Sequence, residues 1–188
     1  MEVIFLTTIQ SIIKERRSVS KFKDTPISTE LIIELLNVAI WAPNHKLTEP
    51  WRFILVQGEG KKHMANAVVE SFTPENKEKI GEKTYNNLVN NVPVHLVVVV
   101  KEDENPVRRE EDYAATASLI QNFQLAAWEQ GIGMVWKTSG FIKSEQFRHA
   151  LSIESDERVV GLLQLGYPEM IPDARPRVPA EEKLTVFE

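Results

Sequence analysis

Two short stretches hold most of the side chains that could do chemistry. The first is Arg16-Arg17-Ser18, which sets two guanidinium groups and a hydroxyl side by side. Such a triplet can make charge-assisted, multidentate hydrogen bonds to one phosphate. It can also be the solvated basic end of a helix, where the dipole favours cations. The second stretch is WAPNHKLTEPWRF at residues 41–53, with an amide (Asn44), an imidazole (His45) and a carboxylate (Glu49) between Pro43 and Pro50. Each proline lacks an N–H and holds φ near about −65°, which stiffens the turn that carries these groups. Polar groups on a stiff loop between packed elements are well placed to meet a ligand.

The elements that must position these stretches follow from hydrophobic spacing. Phe5, Leu6, Ile9, Ile12 and Ile13 recur at helical intervals and predict a first helix ending near Arg16, which delivers the triplet to its C-terminal edge. Ser28 is an N-cap for a second helix, with Ile32, Leu35, Leu36 and Ala39 on one face, running to Pro43. A strand is expected over 53–56, then a turn at Gly58 and Gly60, and a third helix over 63–72. Residues 77–91 are polar and read as a surface helix or a mobile flap over the site. The β-branched run 94–100 predicts a strand covered on both faces. Residues 101–112 read as a solvated loop. A long alanine-rich helix over 113–130 closes at Gly131, and its small residues suit either a second subunit or close packing within one chain. Strands are expected over 133–137 and 158–165, with a short helix over 144–151 between them. The proline-rich tail cannot fold on itself and should lie across another surface, with 184–187 apolar enough to pair as a strand.

Composition narrows the function classes. A chain of 188 residues is long enough for one domain with a real core, and 43% hydrophobic with 26% charged residues is ordinary for a globular protein. A net charge of −5 argues against nucleic acid as the main partner. No apolar run approaches the roughly 20 residues of a spanning helix, and residues 1–15 lack the layout of a signal peptide, so a cytoplasmic location is the default. There is no cysteine, hence no disulfide, thiolate metal site or thiol nucleophile, and any redox chemistry needs a bound cofactor. The four histidines lack ligand spacing, so no metal site is expected, and His95 in its apolar strand reads as a hydrogen-bonded structural residue. The sequence GIG at 131–133 follows a helix and precedes a strand, the reverse of the dinucleotide-binding order.

Taken together, RRSVSKF at 16–22, the 41–53 loop, WKTSG at 136–140, LGYP at 165–168 and RPRVP at 175–179 resemble the nitroreductase-like flavoproteins, in particular their small bacterial members. The resemblance implies an α+β fold with a central, mostly antiparallel sheet flanked by helices. It also implies an intertwined homodimer with FMN at the subunit interface and residues 171–188 as an arm on the partner. Arg16, Arg17 and Ser18 would hold the FMN phosphate and ribityl chain, with Arg175 and Arg177 adding charge to the same phosphate. Pro43, Asn44, His45 and Glu49 would come from the partner chain. Ser20 stands where many larger members carry a basic residue near the flavin N1 and O2 edge. Glu49 stands where glutamine is usual, and a carboxylate there can only accept a hydrogen bond and would make the reduced flavin a stronger reductant. Trp136, Lys137 and Thr138 would run along the ring, a main-chain N–H near Thr138 facing N5; the Trp136 indole fits either beneath the ring or in the core. Ala126, Ala127, Trp128, Glu129, Gln130 and Gly131 fall where relatives bind NAD(P). The implied activity is ping-pong reduction of nitroaromatics, quinones or similar electron-poor small molecules by NAD(P)H. Enone reduction, reductive dehalogenation, or a flavin-storage or redox-sensing role with little turnover are the alternatives.

Overall fold

A computed structural model describes residues 8–188 of the chain. Its centre is a four-stranded antiparallel sheet with strand order β1-β2-β4-β3: β1 Trp51–Val56, β2 Val94–Lys101, β3 Gly133–Lys137 and β4 Glu157–Gly166. Strand β2 is buried along its whole length except Lys101, because its alternate residues feed two cores. Leu96 and Val98 face α2 (Thr29–Ala39) and α5 (Pro106–Glu129), meeting Ile32, Leu35, Leu119 and Phe123. Val97 and Val99 face α3 (Glu59–Glu70) and α6 (Glu145–Ala150), meeting Met64, Val68 and Phe147. The expected strand covered on both faces is therefore present, in a three-layer arrangement of helices, sheet and helices.

Helix starts follow local capping chemistry. Helix α1 (Ile9–Glu15) opens on a reciprocal capping box between Thr8 and Ser11 and ends with Arg16 as its C-cap, so the basic triplet emerges where the spacing put it. Phe5 and Leu6 lie outside the described residues. Ser28 caps α2 by accepting from the Leu31 N–H at 3.2 Å. Thr73 does the same for α4 (Pro74–Asn86), accepting from the Asn76 N–H at 3.3 Å with Pro74 at the first helical position, and α4 runs into a π-helical turn over Asn87–Asn91. The segment 77–91 is thus a regular helix with one widened turn.

Several expected boundaries move. Helix α5 begins at Pro106 rather than 113, because Asn105 accepts from the Val107 N–H at 2.9 Å and Pro106 takes the first helical position. The charged block read as a loop is therefore helical from 106 onward. Helix α3 begins at Glu59 rather than 63, since Gly58 alone, at φ 54°, makes the turn. Strand β1 begins at Trp51, paired with Val100. Residues 184–187 form no strand: this tail is extended and exposed, with Phe187 95% accessible.

Candidate functional site

The segment after α1 is laid along the sheet margin. Ser18 bridges Met134 of β3 in parallel, the Val19 N–H donates to the Met134 carbonyl at 3.0 Å, and the Lys23 N–H donates to Tyr167 at 2.8 Å. Two glycines make this approach possible. A Cβ on Gly133 would stand 2.8 Å from the Val19 side chain, and one on Gly166 would stand 2.6 Å from Phe22. Arg16, Arg17 and Ser18 are thereby fixed at one end of a pinned segment whose other end, from Ser20 onward, borders a cavity.

Arg16 is partly buried, and its pKa is lowered by that burial and by two like charges, Arg17 and Arg177. The tail's Arg177 thus joins the triplet, while the Arg177 Nη1 also donates to the Arg175 carbonyl at 2.9 Å. Arg17 donates to the Lys14 and Arg16 carbonyls, and its buried Nε has no partner. Among the described residues none of these guanidiniums pairs with a carboxylate. Cations gathered without a counter-charge form a fitting seat for an anion such as a phosphate.

The cavity bordered by the segment from Ser20 onward has a volume of about 570 Å³, ordinary for a cofactor or small-molecule site. Ser20, Lys21, Lys61, Asn87, Asn90, Asn91, Lys137 and Gln164 line it. At Asn87, Lys137 and Gln164 it meets a more apolar cavity of about 320 Å³, walled by Ile80, Leu88, Ser139 and Phe141. The π-helical turn presents the asparagines, and two contacts hold it. Lys61 Nζ donates to the Val92 carbonyl at 3.0 Å, and His95 Nε2 meets the Leu88 carbonyl at 2.8 Å. Burial lowers the His95 pKa to about 4, so the ring is neutral and donates from Nε2. The combined groove is polar at one end, where Lys21, Lys23, Lys61 and Lys137 outnumber Asp24 and Glu169, and apolar at the other, which suits a flat heterocycle with a polar edge.

The 41–49 loop does not line this groove in its own chain. Asn44 stiffens it by donating to the Ala42 carbonyl at 3.2 Å and accepting from the Glu49 N–H at 3.0 Å. Lys46, Leu47 and Glu49 all take positive φ, at 53°, 54° and 42°. Non-glycine residues held there store strain, a feature common at ligand sites. Trp41 at the loop's start is 87% exposed. It borders a shallow apolar groove with Ile9, Val38, Leu125, Ala126 and Glu129.

The model of the Nitroreductase family matches residues 13–167. The chain belongs to the nitroreductase family. Its sequence is 40% identical over 183 residues to YfhC of Bacillus subtilis (strain 168), a candidate NAD(P)H nitroreductase, covering 95% of this chain and 94% of that one. The structure superposes on a nitroreductase-like family protein from Bacillus cereus with a TM-score of 0.94 and 42% identity, each chain covered in full at 100%. The fold also matches the FMN- and NADPH-dependent nitroreductase NfnB from Sphigopyxis sp. strain HMH at TM-score 0.80 and 18% identity, over 97% and 100% of the two chains. Membership of this family brings the oxidoreductase class with the fold.

Within the nitroreductase frame, the expected positions separate into groups. Arg16, Arg17 and Arg177 come together, and Ser20 and Lys137 share the cavity. The side chain of Trp136 does not line it: the indole Nε1 donates to the Val160 carbonyl at 3.1 Å, and Gly161 makes room for the ring. Thr138 borders a separate cavity of about 530 Å³ with Tyr113, Lys143 and Arg158. Ala126 and Glu129 sit on the apolar groove, and Ala127 is buried in the core, so this expected nucleotide segment lies off the Lys137–Gln164 cavity in its own chain. Lys61, Asn87, Asn90, Asn91 and Gln164 escaped the sequence reading. The paired asparagines 86–87 and 90–91, poor helix formers just ahead of Pro93, were the available signal. Among the described residues no group of acidic and histidine side chains could hold a metal, and no helix is long and apolar enough to cross a membrane.

Proposed function

We propose that this protein is an FMN-dependent oxidoreductase that reduces electron-poor small molecules, such as nitroaromatics and quinones, at the expense of NAD(P)H. The observation that carries the reading is the gathering of Arg16, Arg17 and Arg177, none paired with a carboxylate among the described residues, at the head of a segment that runs on from Ser20 along a polar-to-apolar groove. When bound, FMN would supply the redox chemistry, a ping-pong hydride relay through its N5 from NAD(P)H to the acceptor. The chain's own residues bind and orient. Arg16, Arg17, Ser18 and Arg177 hold the phosphate, with Arg175 nearby, and Ser20 stands close to the ribityl chain. Lys137 places a positive charge beside the ring, and backbone near Thr138 borders it. No side chain acts as nucleophile; catalysis comes from positioning two flat molecules in turn against one surface.

The active form in this reading is a homodimer. Ile9, Val38, Trp41 and Leu125 give the chain an exposed apolar face, and the 41–49 loop has no ligand to meet in its own subunit. Pro43, Asn44, His45 and Glu49 then complete the partner's site, and the exposed arm 171–188 lies on the partner's surface. Residues 126–131 lie beside this interface, where they could meet the nucleotide only in the assembled dimer. Charge reversal tests the phosphate assignment. Arg16→Glu should weaken FMN binding by at least about 100-fold, losing charge-assisted bonds and adding repulsion, while leaving the dimer intact. Unchanged flavin content in that variant would remove Arg16 from the site.

A further inference from the structure

Gln164 occupies a position that sheet packing alone would give to an apolar residue. It lies in β4, an interior strand, between the core residues Leu163 and Leu165, and is only 5% exposed. Directly opposite stand His95 on β2 and Val135 on β3. Neither end of its amide has a hydrogen-bond partner among the described residues, yet its polar atoms are not sealed in the core. They open where the polar and apolar cavities meet, a junction shared with Asn87 and Lys137. His95 does not engage it, being committed to the Leu88 carbonyl. Lys137, two positions along from Val135, is its diagonal neighbour on the same sheet face. A buried amide left unpaired is costly, and one that opens into a cavity is relieved when a ligand fills it.

We propose that Gln164 is a ring-contacting residue of the cofactor cavity, its amide hydrogen-bonding the polar edge of a bound flavin. This rests on the reading that the cavity takes FMN. A primary amide carries both a donor and an acceptor, matching a heterocycle edge that alternates carbonyl oxygens with N–H groups; leucine offers neither, and an ionised carboxylate only accepts. Gln164 then sets cofactor affinity and ring electronics together with Lys137, from a strand position the backbone holds rigidly.

The test is FMN titration of the flavin-free full-length protein, wild type against Gln164→Leu and Gln164→Glu, read by flavin fluorescence quenching, by the bound absorption spectrum and by the midpoint potential. Binding by the wild type establishes the reading beneath the inference; no binding by the wild type overturns that reading and the inference with it. Given wild-type binding, Gln164→Leu should raise Kd about tenfold and shift the bound flavin bands. Gln164→Glu should also raise Kd and lower the midpoint potential, because a carboxylate opposes added negative charge on the ring. Wild-type Kd, spectrum and potential in both variants would overturn the role of Gln164. Circular dichroism of the flavin-free proteins verifies folding, and Gln164→Asn, which withdraws the amide by one methylene, replaces any variant that fails to fold.

Discussion

The guanidinium of Arg16 has the cations Arg17 and Arg177 for neighbours, whereas His95 is a neutral ring in an apolar wall; both conditions cost stability. The cost of His95 is measurable. Its ring takes a proton near pH 4 in the folded chain against 6.5 ordinarily. Between those values the unfolded chain binds the additional proton, so stability rises with pH across the window and is lost as pH falls through it. The loss attributable to this one ring is up to about 3 kcal/mol. In urea unfolding at pH 7 and pH 4, His95→Gln should narrow the difference between the two conditions by a large part of that amount. An undiminished difference would place the acid sensitivity elsewhere. Residue type left the arginine triplet open between a solvated helix end and a phosphate seat, and only the resemblance of several motifs in order favoured the phosphate. Gln164 and Lys61 were not legible, because a lone polar residue in an apolar strand or a lysine in a helix has its meaning set only by what packs opposite. The indole of Trp136 was legible as one of two alternatives, and the structure gives it a bond within the sheet.

At the scale of elements, that bond marks an irregularity in β4. The pairing of β2 with β4 shifts between Val98 and Val99, passing from Gly161 to Val159 and leaving Val160 as the extra residue. A bulge of this kind removes a backbone group from the ladder, and here the Trp136 N–H donates to the freed Val160 carbonyl. The indole can lie there only because position 161 has no side chain; a Cβ would fall on the indole nitrogen. Gly161→Ala should therefore lower stability by about 1–3 kcal/mol and displace the end of β3 that carries Lys137. Thermal melting together with tryptophan fluorescence would register both effects, and a variant with wild-type values for each would contradict this packing. Strand periodicity revealed β2, β3 and β4 because their apolar runs are strong. It could not reveal the bulge, which depends on register between distant strands. Helix α5 was legible in its alanine-rich body but not in its first turn, where the charged block obscured a plain Asn-Pro start.

For the whole molecule, the apolar face around Trp41, Val38 and Ile9 and the arm beyond residue 170 are exposed in the single chain, and the proposed homodimer would cover them. A sequence pattern shows that such residues are apolar, but only the folded chain shows that they remain uncovered. Trp41→Asp should shift the protein from dimer to monomer in sedimentation velocity and weaken FMN binding with it, since the loop that begins at Trp41 serves the partner's site in this account. A Trp41→Asp protein that stays dimeric and keeps its flavin would remove this face from the interface. The most direct test of the central claim is the absorption spectrum of the purified, dialysed protein followed by anaerobic titration with NADH and NADPH. Flavin bands that bleach promptly with at least one nucleotide and return on addition of a quinone or nitroaromatic are the expected result. A protein that takes up no FMN on reconstitution, or whose bound flavin stays oxidised with both nucleotides, would contradict it.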